Sequence, residues 1–202
     1  NRKVSITSFV DPGKRVYVRS VNFRGNSATR DEVLRREMRQ MESAWFSSEQ
    51  VKMSKERLHR LGYFDSVTVE TPAVPGSTDQ VDVNVTVKEK QTGNLMAGIG
   101  WSKSDGLLFN SSVAQDNFLG TGKRIKFGFN NSSSATHYQL GYTNPYYTVD
   151  GISRGFDLVY KKTDFEDVDT AEYKTDVASA GVNFGIPLNE YDRVRIDLKV
   201  VN

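Results

Sequence analysis

The chain of 202 residues has no cysteine, so it offers no disulfide framework, no thiolate for a metal and no thiol nucleophile. Compartment is left open by that absence, because an envelope protein can dispense with cysteines. Also missing is any run of roughly 18 apolar residues, which excludes a membrane-spanning helix. Mean hydropathy is −0.53. A membrane is not excluded, since a barrel strand needs only about 9 to 11 alternating residues and leaves a weak hydropathy signal. Excess charge of one sign is lacking as well: residues 1–91 carry 16 Lys and Arg against 12 Asp and Glu, and residues 92–202 carry 11 against 13. Neither half is basic enough to suggest nucleic acid. The two histidines, His59 and His137, stand in no recognisable spacing with a serine or aspartate, which argues against a hydrolase, and lie too far apart in sequence to propose a metal pair. No metal site, cofactor or catalytic residue is assigned. With no initiating methionine or signal peptide, and a last residue inside an alternating run, the sequence reads as a piece of a longer mature protein.

What is present is a change of periodicity at Gly93, Asn94, Leu95, Met96, Ala97, Gly98, Ile99, Gly100 and Trp101. Before this stretch, apolar residues recur at helical and short-strand spacings; after it they alternate two by two. As a strand it sets Leu95, Ala97, Ile99 and Trp101 on one face, and its three glycines remove side chains that would fix its register. Its pairing is therefore expected to be more easily exchanged than that of an ordinary strand.

Residues 1–13 read as the tail of a preceding domain and a linker, residues 14–91 as a compact α+β module, and residues 92–202 as antiparallel strands. In the module, a strand from Arg15 to Arg24 ends at Gly25-Asn26. Thr29 to Glu32 forms a capping box that starts a helix to about Met41, with Leu34, Met38 and Met41 inward. Arg35, Arg39 and Glu42 would share its other face. A second capping box at Ser47 to Gln50 opens a helix that Gly62 stops, followed by strands at 66–71 and 81–87. The order is β-α-α-β-β.

Beyond Thr92 seven strands are expected, at the seam and at about 106–115, 123–131, 136–144, 152–163, 174–186 and 193–201. Of 22 aromatic residues, 15 fall after residue 91, several near strand ends, and the strands are longer than is usual in a soluble sandwich. The reading is an all-β antiparallel set of transmembrane barrel strands, a partial barrel, with a soluble β-sandwich binding module as the alternative. Three connections mix turn formers with apolar residues, at Phe118-Leu119, Pro145-Tyr146-Tyr147 and Tyr191, and suit one membrane interface. The connections at the other end are polar or acidic. Among them Asp164, Glu166, Asp167 and Asp169 lack the glycine and distal glutamate of an EF-hand loop, so a solvated loop is the better reading.

The segments Val33 to Glu42, Lys55 to Leu58 with Leu61 to Phe64, and Val74 to Ser77 resemble a polypeptide-transport-associated (POTRA) domain. With Gln115 to Gly122, Thr143 to Gly151 and Asn189 to Tyr191 in collinear order, the whole chain resembles the last such domain and the start of the barrel of the outer-membrane protein assembly factors. The resemblance implies a bacterial outer-membrane location with the POTRA module in the periplasm. It also implies a lateral gate at the first barrel strand, where unfolded outer-membrane barrel clients are added by β-augmentation, and contact with the lipid bilayer. Arg35, Arg39 and Glu42 match the region where such proteins dock a periplasmic lipoprotein of the assembly complex. A related possibility is a POTRA-barrel pore that secretes polypeptides. The family carries an Arg-Gly-Phe type motif in a late extracellular loop; Arg154-Gly155-Phe156 spells it, but just past a periplasmic turn, and is read as coincidence.

Overall fold

The structure, a computed structural model, describes residues 15–103, 106–165 and 173–202. The tail at residues 1–13 and the acidic residues Glu166, Asp167 and Asp169 lie outside the described residues. The chain falls into two compact units, one of them running through Asn26 and resuming at Leu34–Lys88, the other made of Ser27–Val33 and Glu89–Asn202.

The first unit carries β1 (Tyr17–Arg24), α2 (Ser48–Arg60), β2 (Phe64–Glu70) and all but the last residue of β3 (Gln80–Glu89), while α1 (Asp31–Arg35) straddles the division. Its sheet has the order β1-β3-β2, with β1 parallel to β3, a crossover that alternation alone did not define. The register of β1 shifts between Val18 and Ser20, and this irregularity is what lets Val18 and Val21, three apart, both point into the core with Val83, Val85 and Val87. Leu34, Met38, Leu58 and Phe64 close the core from the helical side. Ser47 caps α2, its Oγ accepting from the Gln50 N–H at 3.3 Å, and Gly62 at φ +73° follows the C-terminus.

The first helix is shorter than its sequence pattern predicts. It ends at Arg35, and Met41 is exposed. The next N–H groups, of Glu37 and Met38, bond three residues back, to Leu34 and Arg35. Those of Arg39 and Gln40 then donate to the buried Ser54 Oγ at 2.8 and 3.3 Å. The hydroxyl from α2 thus replaces the helical acceptors and turns the chain away. Gln40, fully buried, holds the resulting loop: its Nε2 donates to the carbonyls of Met41 and Trp45, and its Oε1 accepts from the Ser47 N–H at 2.8 Å. Because the helix stops, Arg35, Arg39 and Glu42 do not share one helical face.

In the second unit seven antiparallel strands follow one another: β4 (Gly93–Ser102), β5 (Gly106–Phe118), β6 (Lys123–Asn131), β7 (Ala135–Asn144), β8 (Ser153–Phe165), β9 (Tyr173–Pro187) and β10 (Arg193–Val201). They form one sheet in the order β10-β9-β8-β7-β6-β5-β4. Register carries the alternation across all seven strands. Ile99, Phe109, Phe127, Leu140, Leu158, Val182 and Leu198 lie on one face, and Asn110, Lys126, Gln139, Asp157, Asn183 and Arg195 on the other. On the apolar face Phe109, Phe129, Tyr138 and Tyr160 make an unbroken row of ring contacts, with centroids 5.9, 5.0 and 6.3 Å apart. A soluble sandwich would bury that face. Here Leu95, Ile99 and Trp101 are 75, 77 and 70 % exposed, and among the described residues no second sheet packs on it. This is the surface of strands that meet lipid, with an aromatic row of the kind that marks a membrane interface.

Gln40→Ala should strip partners from three part-buried backbone groups and lower stability by about 1–2 kcal/mol. Urea unfolding followed at Trp45, in a Trp101→Phe background, measures it; a loss no larger than that of a surface substitution would show that the loop does not depend on this amide.

Candidate functional site

Among the described residues, strand β4 is the terminal strand of its sheet. Ten consecutive residue pairs, from Gly93 opposite Gln115 to Ser102 opposite Gly106, bind it to β5, and it is the last strand of its sheet. Successive N–H groups of a strand point to opposite sides, so half of its donors and acceptors face away from β5. Two of its glycines are covered from across the ladder: a Cβ on Gly98 would stand 2.5 Å from the Asn110 Oδ1, and one on Gly93 would meet the Gln115 Oε1. Flexible amide side chains therefore fill the space where β4 has none.

The foot of this strand is fixed. Thr92 accepts from the Asp116 N–H at 3.1 Å and its hydroxyl donates back to the Asp116 carbonyl at 2.6 Å, while the Gln115 Nε2 donates to Thr92 Oγ1 at 2.9 Å. Next to it the β5–β6 turn is built from left-handed residues, Asn117, Leu119, Gly120 and Gly122. Asn117 is buried and bonds two ways: its Oδ1 accepts from the Gly122 N–H at 2.8 Å and its Nδ2 donates to Thr29 Oγ1 at 2.7 Å. The Gly120 carbonyl accepts from the Arg30 N–H at 3.0 Å, and a Cβ on Gly120 would collide with the Ala28 carbonyl. These bonds explain why Ser27–Val33 belong to the second unit.

Glu89 completes the anchor. Its carboxylate accepts from the Ser27 hydroxyl, the Ala28 N–H and the Thr29 N–H, at 2.9, 2.9 and 2.6 Å. Partial burial pushes the carboxyl pKa up, but bonds from the Thr29 side chain, the two N–H groups and the Ser27 hydroxyl together hold it below the ordinary glutamate value.

The lipoprotein-docking candidates are arranged differently from a helix face. Glu42 Oε1 accepts from the Val21 N–H at 2.8 Å and lies 3.4 Å from Arg35 Nη1. The Arg35 guanidinium also lies over the Phe23 ring, 5.2 Å from its centroid. Arg39 turns toward the Met38 carbonyl. Arg35 and Glu42 are thus brought together as a half-exposed pair along β1, with Arg39 apart from it. Of the turn residues, Leu119 and Tyr191 are exposed, Phe118 and Tyr147 about half so, and Pro145 and Tyr146 are intermediate. Sequence reasoning treated the Phe118–Gly122 segment as a plain interfacial turn, gave Thr29 only a helix-capping role, took Asn117 only as part of a family segment and passed over Glu89; the cluster of asparagine and glycines was the available signal, whereas Glu89 in a charged strand end gave none. Among the described residues no three metal-ligating side chains converge.

Known proteins share this arrangement. Residues 16–90 match the model of the surface antigen variable number repeat (POTRA) family, and residues 117–202 that of the Omp85 superfamily domain. The outer membrane protein assembly factor BamA of Neisseria meningitidis is 40% identical over 98% of this chain. The crystal structure of Haemophilus ducreyi BamA lacking POTRA domains 1–3 superposes with a TM-score of 0.78 at 38% identity, over 95% of this chain and 36% of that one. The chain belongs to the BamA family. It spans 25% of the length of the Neisseria BamA. CdiB from Acinetobacter baumannii, at 11% identity and a TM-score of 0.60, shares the fold alone. As in other BamA homologues, β4 to β10 are outer-membrane barrel strands and the POTRA module is periplasmic. The end of the sheet where β4 starts, with the turns at Phe118–Gly122, Asn144–Ile152 and Leu188–Asp192, is consequently the periplasmic end.

Because the pKa of Glu89 is lowered on folding, its contribution is fully present above the ordinary carboxylate range and is lost as pH falls through and below it. Glu89→Gln should be less stable at neutral pH and lose less than the parent between pH 7 and pH 3. Unfolding midpoints across that range, in detergent, give the comparison; parallel curves would rule out the carboxylate as the anchor.

Proposed function

We propose that the protein from which this chain comes is a non-enzymatic insertase that folds and inserts β-barrel proteins into the outer membrane, with β4 as its lateral gate. The observation that carries this reading is a first barrel strand, β4, whose three glycines bring no side chain to its ladder with β5, on a sheet whose apolar face meets lipid. In hydrocarbon each unpaired backbone group costs several kcal/mol, so an edge that offers donors and acceptors to an incoming strand lowers the barrier to insertion. No nucleotide or metal is required for that exchange. The names of the BamA relatives, as assembly factors, support insertion over secretion.

The clients are unfolded barrel chains, recruited by β-augmentation along Gly93 to Trp101. The POTRA module contributes a dock for a periplasmic lipoprotein, centred on the Arg35–Glu42 pair. Glu42 has two tasks in this reading, as it also accepts from the β1 backbone.

Proline separates the two sides of β4. Of Met96→Pro and Ala97→Pro, one removes a donor from the β5 ladder and the other from the open edge. The variant that loses the open-edge donor should abolish insertion of a barrel client into vesicles while β4 stays paired with β5. Full activity in both variants would refute the gate. At the dock, Glu42→Gln retains an acceptor for Val21 and should bind the lipoprotein about two- to fivefold more weakly, as expected for loss of one exposed ion pair. Glu42→Lys should bind weaker still. Unchanged capture by both variants in a pull-down would move the dock elsewhere.

A further inference from the structure

Arg154 is the second residue of β8 and lies on the lipid-facing side, in register with Asn144 of β7 and Phe184 of β9. A charged residue here is costly only if it sits deep; near an interface the penalty for arginine falls to about 0–1 kcal/mol. Arg154 follows directly on the periplasmic turn and so stands at headgroup depth. Its guanidinium is held between two rings, 3.7 Å from the Tyr147 centroid and 5.1 Å from that of Phe156. The turn that supplies Tyr147 is itself fixed, by the Tyr147 N–H to the Ile152 carbonyl at 2.8 Å and the Tyr146 N–H to Asn144 Oδ1 at 3.2 Å. Rings satisfy part of a cation's charge but accept no strong hydrogen bond. The Arg154 Nε is buried and has no hydrogen-bond partner, and among the described residues no carboxylate pairs with the side chain.

Up the same strand the face is hollowed. Ala178 and Ala180 on β9 are small, while Tyr138, Leu140, Leu158 and Tyr160 stand tall beside them, and together they enclose an apolar groove of about 430 Å³. Leu158 is four residues from Arg154, about 13 Å along a strand and within reach of one acyl chain.

We propose that this face binds one phospholipid, its phosphate on the Arg154 guanidinium and one acyl chain in the groove over Ala178 and Ala180. Arginine suits the head because its planar fork meets two phosphate oxygens at once. The clamping rings hold that fork in one orientation, so little freedom is lost on binding. A free phosphate would satisfy the head but leave the groove unfilled, whereas a lipid engages both. The site depends on the outer-membrane location and not on the insertase reading.

The test uses the full-length protein in detergent micelles with limiting dioleoyl phosphatidylglycerol, and native mass spectrometry to read how much lipid it retains. Arg154→Leu and the pair Ala178→Leu with Ala180→Leu should each reduce the population carrying one bound lipid by about fivefold, and Arg154→Lys, which keeps charge but loses the fork, by less. Strand content by circular dichroism confirms folding, and Arg154→Gln stands in should the leucine variant not fold. Equal retention in the Arg154 variants, equal retention in the alanine variants, or displacement of the lipid by an equal concentration of inorganic phosphate would each overturn the proposal.

Discussion

Strands β4 to β10 depend on one constraint: in hydrocarbon, a backbone N–H or C=O has no water to turn to, and so must be paired by another strand. Interior strands of the sheet meet this on both sides, and the register then brings their apolar side chains onto a single face. Among the described residues β4 is bonded on one side, by β5. The remaining demand is chemical and specific, because only another strand can supply donors and acceptors at that spacing. An edge in water would be a solubility problem. In the proposed gate, facing lipid, an open side of β4 would become a driving force.

Whether such an edge stays controlled depends on its foot. Thr92, Gln115 and Asp116 tie the first residues of β4 to β5, and the Asn117 turn and Glu89 fix Ser27–Thr29 beside them. These bonds lie at the periplasmic end, where water would compete for each of them. Burial of Asn117 keeps water from its bonds to Thr29 and Gly122. Beyond the foot, β4 is mostly exposed on both faces and, among the described residues, pairs with β5.

The barrel strands were legible because alternation of period two survives in every one of them, and lipid on one side makes that alternation strict. The seven strands fall where the pattern puts them, and the glycine-rich stretch forms the first of them. The POTRA helices were less so. The pattern from Leu34 through Met38 to Met41 is helical, yet the Ser54 hydroxyl draws off the Arg39 and Gln40 N–H groups and ends the helix early. No local rule foretells an acceptor arriving from another helix. For the same reason the grouping of Arg35, Arg39 and Glu42 was misplaced, whereas the Arg35–Glu42 pairing emerged from the loop that Gln40 holds. The anchor at Thr29, Glu89 and Asn117 joins residues as many as 88 positions apart, and single-sequence periodicity carries no information at that distance.

In the proposed gate, side chains more than backbone bonds would set how readily β4 exchanges partners. A cross-strand side-chain pair contributes about 0.2–1 kcal/mol beyond alanine, and at Gly93, Gly98 and Gly100 β4 brings none. In the β6–β7 ladder, by contrast, Phe129 stacks on Tyr138 at 5.0 Å and Phe127 faces Leu140. The backbone bonds of the two ladders are alike in kind. An incoming strand that pairs with β4 therefore gives back the same hydrogen bonds it would find elsewhere, and the side-chain term decides how tightly it is kept. A glycine-poor edge would hold its partner through those contacts and release it slowly. The amides of Asn110 and Gln115, polar and flexible, cover the gaps without locking them, so that a gate at β4 would pair through its backbone and let go through its missing side chains.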